Sequence, residues 1–145
     1  MSKIEVFLST EEEQDIIEAI QNAEKDTSGE IRVHIEQSSK TDAYKRAIEV
    51  FHKLKMNDTK LRNGVLIYVA VAEKTFAIYG DKGINTVVAD NFWNTTRDTI
   101  QQHFKCGDFK QGLVAGIKEA GIQLKTYFPW QQEDTNELSN EISKD

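Results

Sequence analysis

The amino-acid sequence predicts an α/β protein with a small mixed sheet, and three observations lead to this prediction. The segment GVLIYVAV at 64–71 is apolar without alternation, which is typical of a strand covered on both faces. A second strand-like run, TFAIYG at 75–80, follows after only three residues, so the two strands form an antiparallel hairpin. Amphipathic helical patterns lie before and after this hairpin and supply apolar faces to cover it.

The first predicted helix begins at Ser9 or Thr10. Glu12 and Glu13 follow three residues later and complete a capping box, and their charges suit the positive start of a helix. The pattern ends near the turn-forming residues 26–29. The apolar face of this helix consists of Ile16, Ile17, Ile20 and Ala23.

The next segment, EIRVHIEQ at 30–37, alternates apolar and polar residues, which is the period of a strand with one face drier than the other. A strand of this kind is expected nearer the edge of a sheet. Thr41 or Asp42 then caps a second helix, whose apolar residues recur at helical spacing. Those residues are Tyr44, Ala47, Ile48, Phe51 and Leu54.

Two further helices are predicted after the hairpin. Asp90 or Asn91 caps the first of them, and Asp108 caps the second. The lone proline, Pro129, marks the end of the second helix. The apolar faces of these two helices consist of Phe92, Trp93, Thr96, Ile100 and Phe104, and of Phe109, Leu113, Ile117, Ala120 and Leu124.

One globular domain over residues 1–130, followed by an acidic tail over 131–145, accounts for the 145-residue chain. The formal net charge is −6, and the tail, with five acids against one lysine, accounts for −4 of it. Leu138 and Ile142 are the only apolar residues in the tail, too few to offset the entropy of ordering it, so we expect it to be mobile and disordered. The remaining chain has no basic stripe, which argues against a nucleic-acid partner.

The single cysteine, Cys106, excludes an intramolecular disulfide and a cysteine-rich metal site. The amino terminus lacks a basic region followed by an apolar core, and no run reaches the roughly 18 apolar residues of a membrane span. We therefore expect a soluble, cytoplasmic monomer without a membrane partner.

Five stretches of the sequence, in their order and spacing, resemble the TPM domain family: GEIRVHI, RNGVLIYVA, FAIYGDKG, VVAD and CGDFKQGLVAGI. The resemblance spans residues 8–128 and implies a three-layer α/β/α sandwich around a mixed sheet of about four strands. For function it implies less, because relatives have been proposed as acid phosphatases, divalent-metal binders and maintenance factors for membrane complexes. Relatives commonly carry a signal peptide and a membrane helix, so this sequence is expected to be a stand-alone, soluble member.

Chain direction predicts a polar edge of the sheet. The strands at 31–37 and 65–71 are joined by a helix and are therefore parallel, so both begin at the same edge. The hairpin partner at 75–80 runs back to that edge. Three loops meet there, and together they contribute Glu30, Asn57, Asp58, Arg62, Asn63, Asp81 and Asp90.

The oxygen-bearing side chains at this edge predict a site for a hard divalent cation. Calcium binds roughly six to eight carboxylate and carbonyl oxygens from flexible loops. Carboxylates repel one another at close range, and a bound ion turns that repulsion into ligation. The spacing does not match the calcium loop of EF-hands. We expect one or two ions, Ca²⁺ or Mg²⁺, held by Glu30, Asp58, Asp81, Asp90, Asn57 and Asn63.

Simpler roles stay open for several of these residues. Asp90 also fits a helix cap, and Asp58 fits a turn residue. Asp81 lies in GDKG, where relatives often have an uncharged residue between two glycines, and no helix is predicted for it to cap, which favours a ligand role. Arg62 fits either a phosphate clamp or an ion-pair partner of Glu30 or Asp81.

Two classes of function fit the sequence. The first is a cation-binding regulatory or interaction module, in which metal orders the loops 57–63 and 81–90 and presents a surface to a protein partner. The alternative is a metal-assisted phosphomonoesterase that uses the ion as a Lewis acid. No catalytic residue can be named, because His34, His52 and His103 lie on separate elements and no nucleophile elbow or phosphate loop occurs.

Overall fold

A computed structural model of the protein describes residues 7–130 and 138–144. The first half contains helix α1 (Thr10–Glu24), strand β1 (Glu30–Glu36), helix α2 (Ala43–Lys53) and strand β2 (Gly64–Ala70). The second half contains strand β3 (Thr75–Gly80), helices α3 (Lys82–Asn85), α4 (Asn94–Lys105) and α5 (Phe109–Tyr127), and strand β4 (Ser143–Lys144). Among the described residues, no helix combines the length and the apolar content that crossing a membrane requires.

The four strands form one mixed sheet in the order β3-β2-β1-β4. β2 lies inside the sheet, and all seven of its residues are buried. It pairs in parallel with β1, from Glu30 opposite Gly64 to Glu36 opposite Ala70, and antiparallel with β3. The predicted mixed sheet, with its parallel pair and its hairpin, is therefore confirmed.

Helices cover both faces of the sheet. The main core lies between one face and the helices α1, α4 and α5, and it includes Ile31, Val33 and Ile35 of β1. A smaller core lies between the other face and α2, where Phe51 packs against residues such as Leu66 of β2. This is the α/β/α arrangement that the family resemblance implied.

The helix ends follow the predicted signals in most places. Ser9 caps α1 in a complete capping box, in which its hydroxyl accepts from the Glu12 amide and the Glu12 carboxylate accepts from the Ser9 amide. Asp42 caps α2 by accepting from the Lys45 amide at 3.1 Å. Helix α5 ends at Tyr127, just before Pro129.

The start of α4 differs from the prediction. The helix begins at Asn94, so neither Asp90 nor Asn91 caps it, and its first residue has no side-chain cap. The Gln123 side chain donates to the Phe92 carbonyl at 2.6 Å, which ties that backbone group to α5. The chain therefore passes through turns over 89–93 before it becomes helical.

Asp108 occupies the N-cap position of α5, as predicted, but its side chain makes no capping hydrogen bond. The residue is exposed. The position therefore agrees with the sequence pattern, whereas the expected contact is not made.

The acidic segment 131–145 requires a correction where the structure describes it. Residues 138–144 lie against the domain, with Leu138 packed on the smaller core and Ile142 on the main core. Ser143 and Lys144 pair in parallel with β1. The prediction of disorder rested only on the low apolar content of the tail. It did not consider that the outer edge of β1 can pair with the tail as a strand. Residues 131–137 and 145 lie outside the described residues.

Candidate functional site at the loop edge

We use the name loop edge for the edge of the sheet at which β1 and β2 begin and β3 ends. The Glu30 amide donates to the Asn63 carbonyl at 3.3 Å, and the Asp81 amide donates to the Gly64 carbonyl at 2.9 Å. The starts of two strands and the end of a third are therefore joined side by side. The predicted convergence of these loops is confirmed for Glu30, Arg62, Asn63 and Asp81.

Asp81 has a structural role that the sequence prediction missed. It is the N-cap of the four-residue helix α3, and its Oδ1 accepts from the Lys82 amide at 2.7 Å. Its Oδ2 accepts from Arg62 Nε at 3.0 Å. Only 2% of Asp81 is exposed. The statement that Asp81 has no helix to cap is therefore wrong, because a helix this short leaves no periodic pattern in the sequence.

Arg62 is the ion-pair partner of Asp81, one of the two partners that the sequence allowed. The Arg62 side chain remains 43% exposed, and its backbone has a left-handed φ of 52°. Its carbonyl accepts from the Gly83 amide at 2.8 Å. A Cβ atom at Gly83 would lie 2.1 Å from the Leu61 carbonyl oxygen and 2.4 Å from that of Arg62. The two loops therefore touch backbone to backbone, which only a glycine permits.

Glu30 and Asn63 are buried neighbours at this edge, with 3% and 1% of their surfaces exposed. The Glu30 carboxylate accepts from the Leu138 amide at 3.1 Å. Asn63 Nδ2 donates to Ser28 Oγ at 3.4 Å. Asn63 Oδ1 is buried and has no hydrogen-bond partner within the part of the chain that the structure describes. Leaving such an acceptor unsatisfied costs about 1–3 kcal/mol.

Glu24, at the end of α1, adds a second carboxylate that the sequence prediction did not place at this edge. Its Oε2 accepts from the Ile31 amide at 2.8 Å. Burial raises the pKa of Glu24 to about 8; the hydrogen bond from Ile31 opposes this rise, and the negative charge of Glu30 adds to it. Negative charge is therefore unfavourable in this partly buried region around Glu24.

The remaining predicted ligands lie on the surface of the loops. Asp58 is exposed in a turn, where its amide donates to the Lys55 carbonyl at 3.0 Å, and Asp90 is also exposed. Asn57 is partly buried. Across residues 7–130 and 138–144, no three His, Cys, Asp or Glu side chains are grouped so that they could hold an ion. The structure therefore brings Glu30 and Asn63 together, but it does not gather the four predicted acids around one centre.

A second polar cluster lies at the opposite end of β1. Glu36 accepts from Arg46 through Nε at 2.8 Å and Nη2 at 2.9 Å, and it also accepts from the Tyr68 hydroxyl. His34 Nε2 lies 3.6 Å from Glu36 Oε1. Burial raises the pKa of Glu36, but the hydrogen bonds from Arg46 and Tyr68 outweigh it and lower the pKa to about 2. The carboxylate is thus fully compensated by its protein partners.

This cluster was not recognised in the sequence, although one signal for it exists. The alternation of β1 places His34 and Glu36 on the face that α2 covers, and Arg46 lies on α2. A groove of about 730 Å³ opens beside the cluster and is lined by the 36–41 segment, Arg46 and Glu49. Because Glu36 already neutralises Arg46, the cluster is best explained as a buried ion pair that fixes α2 on the sheet.

Fold and site together define a small three-layer α/β/α domain in which polar groups gather at both ends of the parallel strands. The TPM domain family model matches residues 3–123 of this chain. The chain belongs to the TPM domain family. No curated protein matches it.

Solved structures of similar chains agree with this assignment. The chain is similar to the BA42 protein of the psychrophilic bacterium Bizionia argentinensis, with 64% identity, full coverage of both chains and a TM-score of 0.92. It also resembles the N-terminal domain of the cg2496 protein of Corynebacterium glutamicum, with 14% identity, coverage of 81% of this chain and 74% of that one, and a TM-score of 0.64. It also resembles the N-terminal domain of a P. gingivalis protein, with 17% identity, coverage of 84% of this chain and 79% of that one, and a TM-score of 0.67. At these low identities, the last two likenesses concern the fold alone.

The raised pKa of Glu24 predicts a pH dependence of stability. Between the ordinary pKa of 4.5 and the folded value of about 8, the folded state holds a proton that the unfolded state has released. Stability should therefore fall as the pH rises through this range, by up to about 1.4 kcal/mol per pH unit from this group. Glu24→Gln should remove this part of the pH dependence in urea unfolding curves measured from pH 5 to 8. The exposed Glu18→Gln should leave it unchanged; equal slopes for Glu24→Gln and the unmodified protein would contradict the prediction.

The backbone contact at Gly83 predicts that replacing this helical glycine with alanine lowers the stability of the fold instead of raising it. Alanine normally stabilises a helix by about 1 kcal/mol relative to glycine. At Gly83 the added Cβ meets two carbonyl oxygens, so Gly83→Ala should instead destabilise the fold by about 1–3 kcal/mol in chemical unfolding. Lys82→Ala, at the exposed neighbouring residue, should stay within about 0.5 kcal/mol. A stabilised Gly83→Ala variant would show that the two loops are not in contact.

Proposed function

We propose that this TPM domain binds a divalent cation, with Ca²⁺ foremost and Mg²⁺ second, at the loop edge. Binding orders the loops 57–63 and 81–90 and so changes the surface that the domain presents to a protein partner. The domain then acts as a regulatory or interaction module.

The buried Asn63 Oδ1 is the observation that supports this proposal most directly. It is a buried amide oxygen without a hydrogen-bond partner among the described residues, and the carbonyl of the same residue accepts from the amide of the buried Glu30 at 3.3 Å. Amide and carboxylate oxygens are the ligands that hard cations prefer. An ion at this position satisfies the orphaned acceptor, and it also neutralises the charge that contributes to the raised pKa of Glu24.

We propose two groups of ligands for such an ion. Glu30 and Asn63 are buried on the sheet and supply its fixed ligands. Asp81 has both carboxylate oxygens engaged, but one of its partners is the half-exposed Arg62, which can turn into solvent. Arg62 thus serves as a resident positive charge, and a cation with higher charge competes with it for Asp81.

The outer ligands come from the loops. Asn57, Asp58 and Asp90 lie on the two segments that the ion orders, and their side chains are exposed or partly buried. We propose that they complete the coordination of one ion, or form a second site, when the loops close. Because these side chains bind the ion only when the loops close, the order of the loops depends on the metal.

The phosphomonoesterase alternative is less well supported. It requires Arg62 to bind a phosphate, whereas Arg62 Nε donates to Asp81 at 3.0 Å. The sequence names no nucleophile or general base for this reaction. Cation binding without hydrolysis is therefore the function that we favour.

The proposal predicts a metal-dependent melting temperature. A ligand at about a hundred times its Kd stabilises the folded state by about 2.7 kcal/mol, which for a domain of this size raises Tm by roughly 5–10 °C. Ca²⁺ should produce this rise relative to chelated protein in calorimetry. Glu30→Gln and Asn63→Ala should each remove most of the rise, whatever their effect on the Tm of the chelated protein.

The matched control is Asp98→Asn, which removes an exposed acid of α4 that lies outside both loops. This variant should keep the full Ca²⁺-dependent rise. Identical melting curves in Ca²⁺, Mg²⁺ and excess chelator for the unmodified protein would rule out the proposed site.

A further inference from the structure

The outer edge of β1 is covered by a short, sparsely paired segment. β1 contains seven residues, yet among the described residues β4 pairs with only two of them, His34 and Ile35. An apolar strand edge with unpaired backbone groups is a template for pairing with another chain.

The backbone groups of Ile31, Val33 and Ile35 face this outer edge. The Glu30 amide points the other way, because it donates to the Asn63 carbonyl on the β2 side. Backbone groups alternate between the two edges of a strand, so those of the odd-numbered residues point outward. The Ile31 amide confirms the direction, because it donates to the Glu24 carboxylate and not to a strand.

The segment 138–144, which we call the strap, is held to this edge largely by side chains. Ile142 packs against the main core. Besides its pairing with β1, the strap makes polar contacts between the Glu30 carboxylate and the Leu138 amide at 3.1 Å, and between His34 Nδ1 and Ser143 Oγ at 3.0 Å. The Lys144 ammonium pairs with the Glu13 carboxylate. Such contacts place the strap without using the full hydrogen-bonding capacity of β1.

We propose that the outer edge of β1 is a docking site for an extended segment of a partner protein, which adds to the sheet as a parallel strand, and that the strap is its exchangeable resident. Each added backbone hydrogen bond contributes favourably to binding, so an incoming strand that pairs along more of β1 than β4 does should bind more tightly. Recognition of this kind takes affinity from the backbone and specificity from alternate side chains.

The strap indicates the chemistry of the partner. The edge is lined by three acids, Glu13, Glu24 and Glu30, each of which contacts either β1 or the strap. A basic residue at the position of Lys144 complements them. A branched apolar residue two positions earlier fills the place of Ile142 against the main core. The partner segment is thus extended, apolar on one face and basic at its end.

A peptide with the sequence of residues 138–144, LSNEISK, tests this site on the full chain in excess chelator, so that the outcome is independent of cation binding. Ile142→Asp should loosen the strap and speed amide hydrogen exchange at Ile35, which pairs with Lys144, at least tenfold. The peptide should restore this protection and bind the variant at least tenfold more tightly than it binds the unmodified chain. Replacing the peptide's lysine with glutamate should weaken binding about fivefold.

Two further variants keep the test decisive. Lys144→Glu loosens the strap at an exposed residue and should show the same changes in smaller degree. Ile122→Asp alters an exposed isoleucine of α5 and should change neither exchange nor peptide binding. The proposal is overturned if the Ile35 amide exchanges equally in all chains, or if the peptide binds without protecting this amide.

Discussion

The structure depends first on the complete burial of β2. All seven residues of this strand are buried, so both of its faces need a helical layer and both of its edges need a strand. The short turn to β3 supplies one edge, and the crossover through α2 supplies β1 on the other. These two connections fix the chain directions, and the directions decide which loops meet. The loop edge is therefore a consequence of how β2 is buried.

The two ends of the parallel strands differ in how their charges are balanced. At the far end, Glu36 is bound by Arg46 and Tyr68, and its pKa is lowered to about 2. At the loop edge, burial raises the pKa of Glu24 to about 8, and Asn63 Oδ1 has no partner among the described residues. At the first end the carboxylate is neutralised by its protein partners, whereas at the second a buried acceptor oxygen has no partner among the described residues. Glu30 connects this second end to the strap, since its carboxylate accepts from Leu138.

The sequence predicted the parts of the fold that leave a local pattern. The unbroken apolar run of β2, the capping box at Ser9 and the short hairpin connection each reflect neighbouring residues, and each was correctly placed. Features that depend on distant contacts were missed. Helix α3 is too short for a period, α4 starts late because Gln123 binds the Phe92 carbonyl, and the strap is ordered by the edge of β1. At the site, chain direction predicted that Glu30, Asn63 and Asp81 meet, but it could not show that Arg62 already neutralises Asp81.

The central claim is that the loop edge binds a divalent cation. It is tested most directly by titrating the ¹⁵N-labelled chain with Ca²⁺ while recording backbone amide shifts. Saturable shifts should appear at Glu30, over 57–63 and over 81–90, and Glu30→Gln should abolish them. Shifts that are absent, or that occur only outside these residues, would contradict the account.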